Sequence, residues 1–112
     1  MKYLRLFESF EDIDEICKQY NISNYVVNSD GSIDVDNNVY LFDKNLTKLP
    51  LKFNKVNGEF DCSYNKLTSL KGSPIEINDS FYCDNNQLTS FEFSPKIIRG
   101  NFNCSDNNIQ MI

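Results

Sequence analysis

No histidine, tryptophan or alanine occurs in the 112-residue chain, and glycine and proline are scarce, at four and three. The missing histidine carries the most chemistry. A serine or cysteine nucleophile has no imidazole base here, and any zinc site would have to be built from cysteine and carboxylate alone. Carboxylates are plentiful, but they fall in polar, surface-type slots with nothing to desolvate them. The sequence therefore offers no case for an enzyme. No apolar run reaches the roughly 18 residues that a membrane-spanning helix needs. The opening, Met1-Lys2-Tyr3-Leu4-Arg5-Leu6-Phe7, is short and soon acidic, which argues against a secretory signal and for a cytoplasmic setting. The lack of alanine, beside abundant Asn, Lys, Ile, Phe and Tyr, matches the bias of an A+T-rich genome and is given no functional weight.

What is present is a repeat. Phe60-x-Cys62-x-x-Asn65-x-Leu67-x-x-Leu70 recurs 21 residues later as Phe81-x-Cys83-x-x-Asn86-x-Leu88-x-x-Phe91. It returns as Phe102-x-Cys104-x-x-Asn107-x-Ile109-x-x-Ile112, and a looser copy precedes all three as Val39-x-Leu41-x-x-Lys44-x-Leu46-x-x-Leu49. Buried-type residues at a fixed spacing are the mark of a solenoid. Alternation at Phe60 and Cys62 predicts a short strand with both side chains inward. Asn65, Asn86 and Asn107 suit the corner that follows, where an amide can pair with backbone groups the turn leaves open. Ser73-Pro74 and Ser94-Pro95 keep the return side from being helical, and Val56, Ile77 and Ile98 supply further inward anchors. Gly58 and Gly100 fit a tight turn into the next strand, although Asp79 fills that slot in the middle coil. A coil this short leaves room for extended and 3₁₀ segments outside, not a full helix.

These slots match the leucine-rich-repeat frame, and residues 39–112 resemble a leucine-rich-repeat protein of the short-repeat kind. Runs such as Asn45-Leu46-Thr47-Lys48-Leu49-Pro50, Asp61-Cys62-Ser63-Tyr64-Asn65-Lys66-Leu67-Thr68-Ser69-Leu70 and Gly72-Ser73-Pro74 resemble, more narrowly, uncharacterised repeat proteins encoded by tailed bacteriophages. The stretch Asp30-Gly31-Ser32-Ile33-Asp34-Val35 looks like the leader of the same group. The resemblance implies a leucine-rich-repeat solenoid, β-rich, with coils of about 21 residues and a parallel sheet on its concave face. For function it implies only a binding scaffold, because the wider family has unrelated partners. The chain departs from the pattern at Lys44, where the Asn is missing, and it shows about three and a half repeats.

Ahead of the repeats, Ser9 followed by Asp12 reads as a helix N-cap with an acidic first turn. Ile13, Ile16, Cys17 and Tyr20 then share one helix face, predicting a helix over 10–20 that ends near Asn21. Residues 1–8 read equally as a short strand or an apolar lead-in. Tyr25-Val26-Val27 and Ile33-Asp34-Val35 read as strands around the Asp30-Gly31 turn. Residues 1–38 are thus an expected N-terminal helix-plus-hairpin cap on the solenoid of residues 39–112, together one domain. Ile13, Ile16, Val26 and Val35 are expected to pack against the first coil.

Charge divides along the same line. Residues 1–38 hold three basic and eight acidic residues, whereas 39–112 hold eight of each, so the net −5 lies entirely ahead of the repeats. That argues against a nucleic-acid partner, which demands a basic face, and the acidic run is read as a solvated helix face.

Cys62, Cys83 and Cys104 should stack about 5 Å apart, one per coil. In-line thiols make a poor tetrahedron, and the fourth cysteine, Cys17, lies in the cap helix, so these residues are read as small buried hydrophobes, with no metal and no cofactor. A disulfide between coils is not expected in a cytoplasmic protein. Asp34-Val35-Asp36-Asn37-Asn38 lacks the glycine and glutamate of a calcium loop and reads as a hairpin edge.

The alternation assigns Tyr40, Phe42, Asp61, Ser63, Tyr82, Asp84, Asn103 and Ser105 to outward strand positions, with Tyr64 just beyond. This concave surface is either polar filler or a protein-binding face. Exposed aromatics at Tyr40 and Phe42 favour binding. In the last coil, Phe102, Cys104, Ile109 and Ile112 should present an apolar end and an open strand edge. Two chains joining there about a two-fold axis, or a partner covering it, is expected; a frayed coil is the alternative. The function expected is a non-catalytic protein-interaction module with neither nucleic acid nor membrane as partner. Resemblance and small size imply a phage-encoded binder or inhibitor of a host defence protein in the bacterial cytoplasm. The alternatives are a structural or virion-associated part and an acidic mimic of nucleic acid, the last weakened because the acids gather in the cap.

Overall fold

The computed structural model describes residues 12–110; the Ser9 cap, the lead-in over 1–8 and Ile112 lie outside the described residues. Residues 12–19 are helical. The helix stops at Asn21, whose φ of 56° is left-handed. Ile22 N–H then returns to the Cys17 carbonyl at 2.8 Å and Asn21 N–H to the Lys18 carbonyl at 3.3 Å. This is the paired C-terminal closure that an Asn in that slot permits. Ile13 and Cys17 are buried and Ile16 packs beside them, so the apolar stripe read from the sequence is the face that meets the core.

Two short strands follow, β1 (Tyr25–Val27) and β2 (Ile33–Val35), paired antiparallel around the five-residue connection 28–32, in which Gly31 takes φ 86°. Asp30 Oδ1 accepts both the N–H and the hydroxyl of Ser32, at 3.0 and 2.6 Å, and locks the loop. Of the expected cap residues, Val35 is buried, but Val26 is exposed. The register explains this: Val26 opposes Asp34, and the face toward the core is carried by Tyr25 and Val27. Tyr25 also donates its hydroxyl to Asp14 Oδ1 at 2.5 Å, tying hairpin to helix, and that bond raises its pKa.

From β2 onward the chain is a repeat solenoid. The coils comprise β3 (Val39–Tyr40), β4 (Phe53–Val56), β5 (Phe60–Asp61), β6 (Glu76–Ile77), β7 (Phe81–Tyr82), β8 (Ile97–Ile98) and β9 (Phe102–Asn103). They form two sheets, in the orders β3-β5-β7-β9 and β1-β2-β4-β6-β8. Every pairing between coils is parallel with a 21-residue register: Val39 with Phe60, Phe60 with Phe81, Phe81 with Phe102, Val56 with Ile77 and Ile77 with Ile98. The return side is therefore a second extended sheet, and no 3₁₀ helix occurs there among the described residues. The hairpin joins it because β2 pairs parallel with β4, bringing Val35 opposite Val56, with a register shift between Ile33 and Asp34.

The core is the set of inward columns. Val39, Phe60 and Phe81 are fully buried, as are Leu41, Cys62 and Cys83, and Leu67, Leu70 and Ile77. Phe60 and Phe81 lie 5.9 Å apart between ring centroids, and Phe53, outside the repeat frame, meets Phe60 edge-on at 4.9 Å. Each such side chain contributes roughly 1.5–3 kcal/mol by leaving water. Burial falls off in the last coil. Phe91 and Phe102 occupy inward slots but remain 40% and 45% exposed, their rings meeting edge-on at 6.1 Å near the end of the described coils.

The asparagine column closes the corners. Asn65 Oδ1 accepts the Lys44 and Leu46 N–H groups, each at 3.0 Å, while its Nδ2 donates to the carbonyls of Leu41, Cys62 and Ser63. Asn86 and Asn107 repeat the pattern one and two coils on. Each asparagine thus satisfies the turn of its own coil and that of the coil before. Lys44 departs from the motif at the first of these coils, where no earlier corner asks to be served. Gly58 is needed for close approach and not for its φ: a Cβ there would lie 2.9 Å from the Asn37 backbone.

Candidate functional site

The surface that the sequence singles out is the outer side of β3-β5-β7-β9. Backbone bonds between coils continue past the strands proper, from Asp43 N–H to the Ser63 carbonyl and from Tyr64 N–H to the Asp84 carbonyl, so residues 39–43 and their equivalents form one rigid wall. On it Tyr40 and Phe42 are half exposed, their rings meeting edge-on at 6.0 Å. Asp61 and Tyr82 are partly buried, and Asn103 and Ser105 are exposed.

Ser63 and Asp84 do not belong to that surface. Both are buried, at 6% and 8% exposure. Strand alternation points them outward, but side chains of successive coils stack in columns about 4.8 Å apart. Ser63 also folds back, donating its hydroxyl and N–H to Asp61 Oδ1 at 2.5 and 3.0 Å. Asp84 receives the Asn85 side-chain amide at 3.0 Å. The expectation that nothing desolvates the repeat carboxylates therefore fails at Asp84.

Tyr64 is the exceptional residue of the wall. It is 61% exposed and sits at φ 56°, in the left-handed region. The equivalent positions one coil away on either side, and again beyond, are Asp43, Asn85 and Asp106, also left-handed. Asp and Asn tolerate that conformation through local hydrogen bonding; a bulky aromatic pays about 1 kcal/mol or more for it. Alignment of the column Asp43, Tyr64, Asn85 and Asp106 was the signal available in the sequence.

Charge on the wall is of one sign. The segments 39–43, 59–64, 79–85 and 100–106 contain Asp43, Glu59, Asp61, Asp79 and Asp106 at exposed or partly exposed positions, with Asp84 buried, and no lysine or arginine. The remainder of 39–112 carries all eight basic residues and only Glu76 and Glu92. A region that sums to zero is thus divided by the fold into an acidic side and a basic one. Tyr40 feels the acidic side directly. Its hydroxyl donates to Glu59 Oε1 at 3.0 Å, and that bond, with Asp61 and Asp79 nearby, raises its pKa.

The cysteine column behaves as apolar filling. Burial pushes the Cys83 thiol up to about 12 and Cys62 well above its ordinary value, the direction that favours neutral thiols packed among apolar side chains. All four cysteines are free, and the described residues contain no group of three His, Cys, Asp or Glu placed to hold a metal ion. No helix among the described residues is long and apolar enough to cross a membrane. Phe102, Cys104 and Ile109 gather at the last coil as expected, Phe102 stacked on Phe81 at 5.5 Å, and the outer edges of β8 and β9 carry no strand among the described residues. Comparison with protein-family models, with curated proteins and with solved structures yields no match.

Proposed function

We propose that this chain is a non-catalytic protein-binding solenoid whose recognition surface is the acidic, aromatic wall of β3-β5-β7-β9. Tyr64 carries the reading. An exposed aromatic held in a left-handed slot, where three equivalent positions use Asp or Asn, costs stability twice, in backbone strain and in apolar area left in water. Such a cost is repaid by a partner that covers the ring. Tyr40 and Phe42 supply further rigid contact area, and the surrounding carboxylates select a partner with a basic surface. On the resemblance drawn from the sequence, the proposed setting is a bacterial cytoplasm during phage infection. The proposed partner is a host protein, such as a defence component that the chain inhibits.

The uniform acidity of the wall supports a second reading, an acidic mimic that occupies a nucleic-acid-binding protein. A virion-associated role is the third. Self-association through the open edges of β8 and β9 is compatible with all of them, and Phe102→Asp with light scattering tests it.

Affinity capture from host lysate, with the wild-type chain beside Tyr40→Ala and Tyr64→Asn, separates these readings. A basic host protein captured by the wild type and lost with both variants supports the proposal. Release of that protein by DNA favours the mimic, and recovery of capsid or tail proteins favours the virion role. Capture that both variants leave intact would move the binding surface off this wall.

A further inference from the structure

On the basic side of the solenoid, the corners of three successive coils enclose an open groove of about 700 Å³, within the size range of ligand sites. Residues 48–53, 71–75, 93, 94 and 96 line it. Its floor is apolar, with Leu51 and Phe53 buried below and Ile75 and Phe93 half exposed at the surface. Lys48, Lys52, Lys71 and Lys96 stand around it, and no acidic residue lines it.

Phe93 is a second exposed aromatic in a left-handed conformation, at φ 68° and 51% exposure. One coil earlier the same slot is Gly72, at φ 95°. The fold therefore asks for glycine here, and the chain places a phenyl ring at the mouth of the groove instead. The lysines complete the picture. Lys52 already holds a carboxylate, that of Asp30, at 3.3 Å, whereas Lys48, Lys71 and Lys96 have no ion-pair partner among the described residues.

We propose that this groove binds an acidic peptide segment, with glutamate or aspartate side chains on the lysines and one or two large apolar side chains on Ile75 and Phe93. Charge complementarity selects the sign of the ligand. The apolar floor selects a peptide over a nucleic-acid strand, whose phosphates would be laid on Leu51 and Phe53 without water or donors. Three coils span about 10 Å, the length of three or four extended residues. The site lies on the side of the solenoid opposite in charge to the wall proposed above and is independent of it.

The test uses a fluorescein-labelled, C-terminally amidated Glu-Leu-Glu-Phe-Glu peptide and fluorescence anisotropy against the full chain. Saturable binding below about 1 mM is expected, falling at least about fivefold between 0.05 and 0.5 M salt as screening sets in. The double variant Lys71→Glu, Lys96→Glu should weaken it more than about tenfold. Phe93→Gly should weaken it about tenfold without lowering the melting temperature, since glycine suits the backbone there; this separates a binding role from a structural one. Tyr40→Ala should leave it unchanged. The inference is overturned if there is no binding at about 1 mM, if the lysine counterpart peptide binds equally, if a thymidine oligonucleotide of equal charge binds more tightly, or if the groove variants bind as wild type.

Discussion

Asn65 serves the coil before its own: its Oδ1 accepts the Leu46 N–H at 3.0 Å, nineteen residues back. The same side chain caps three carbonyls, of Leu41, Cys62 and Ser63. The described residues contain no buried side-chain polar atom without a partner, so this network has no slack. Asn65→Ala would orphan buried groups on two coils at once. The expected loss is about 2–4 kcal/mol, since each buried group left unpaired costs about 1–3 kcal/mol. Urea unfolding measures it, and Lys44→Ala, at the exposed first-coil slot, should change stability by less than about 0.5 kcal/mol.

Cys83 is fully buried between Cys62 and Cys104 in the thiol column. Replacing it with serine puts a hydroxyl into an apolar slot, and a loss of about 1–3 kcal/mol is expected. Thermal unfolding reads the loss, and elemental analysis reads its cause. Stoichiometric zinc in the wild type that disappears in Cys83→Ser would show the column to be a metal site instead.

Tyr64→Asn should stabilise the fold and weaken partner binding together. Asparagine is suited to the left-handed slot that Asn85 occupies one coil later, so a gain of about 1 kcal/mol is expected. Calorimetry of the free protein checks the gain. A variant less stable than wild type would show that Tyr64 is there for the fold and would remove the main support for the wall as a binding surface.

Acid should loosen the β1–β2 turn within a defined window. The Ser32 hydroxyl and N–H, with Lys52, lower the Asp30 pKa from 3.8 to about 2. A carboxylate lowered on folding stabilises the native state above its unfolded pKa, and that contribution disappears as pH falls through the folded value. The turn should therefore hold at neutral pH and weaken between about pH 4 and pH 2. Asp30→Asn keeps an acceptor for Ser32, as Asn103 does for Ser105 at 2.8 Å. Its melting temperature, relative to wild type, should rise across that window, and parallel curves down to pH 2 would count against the assignment.

The coil length, the inward columns and the corner asparagines could be read from the chain alone, because a solenoid puts equivalent residues into equivalent environments every 21 positions. Phe60, Cys62, Asn65 and Leu67 announce their roles by recurrence. Recurrence is silent where a position depends on its neighbours in the column. It sent Ser63 and Asp84 to the surface, whereas the stacking of coils buried both. Ahead of the repeats, reading 25–27 as a cap strand put Val26 in the core, whereas the antiparallel register turned Tyr25 and Val27 there. Composition also counted the repeats as neutral. Only the closing of each coil into two sheets gathers the base-free segments, with Asp43, Glu59, Asp61, Asp79 and Asp106, into one wall and brings Lys48, Lys52, Lys71 and Lys96 around one groove, because charge at a surface is set by which face a segment joins. Tyr64 and Phe93 belong to the same class. Their residue types are visible in the sequence, but the left-handed backbone that makes an aromatic costly at those two positions is imposed by the corners of the folded coil.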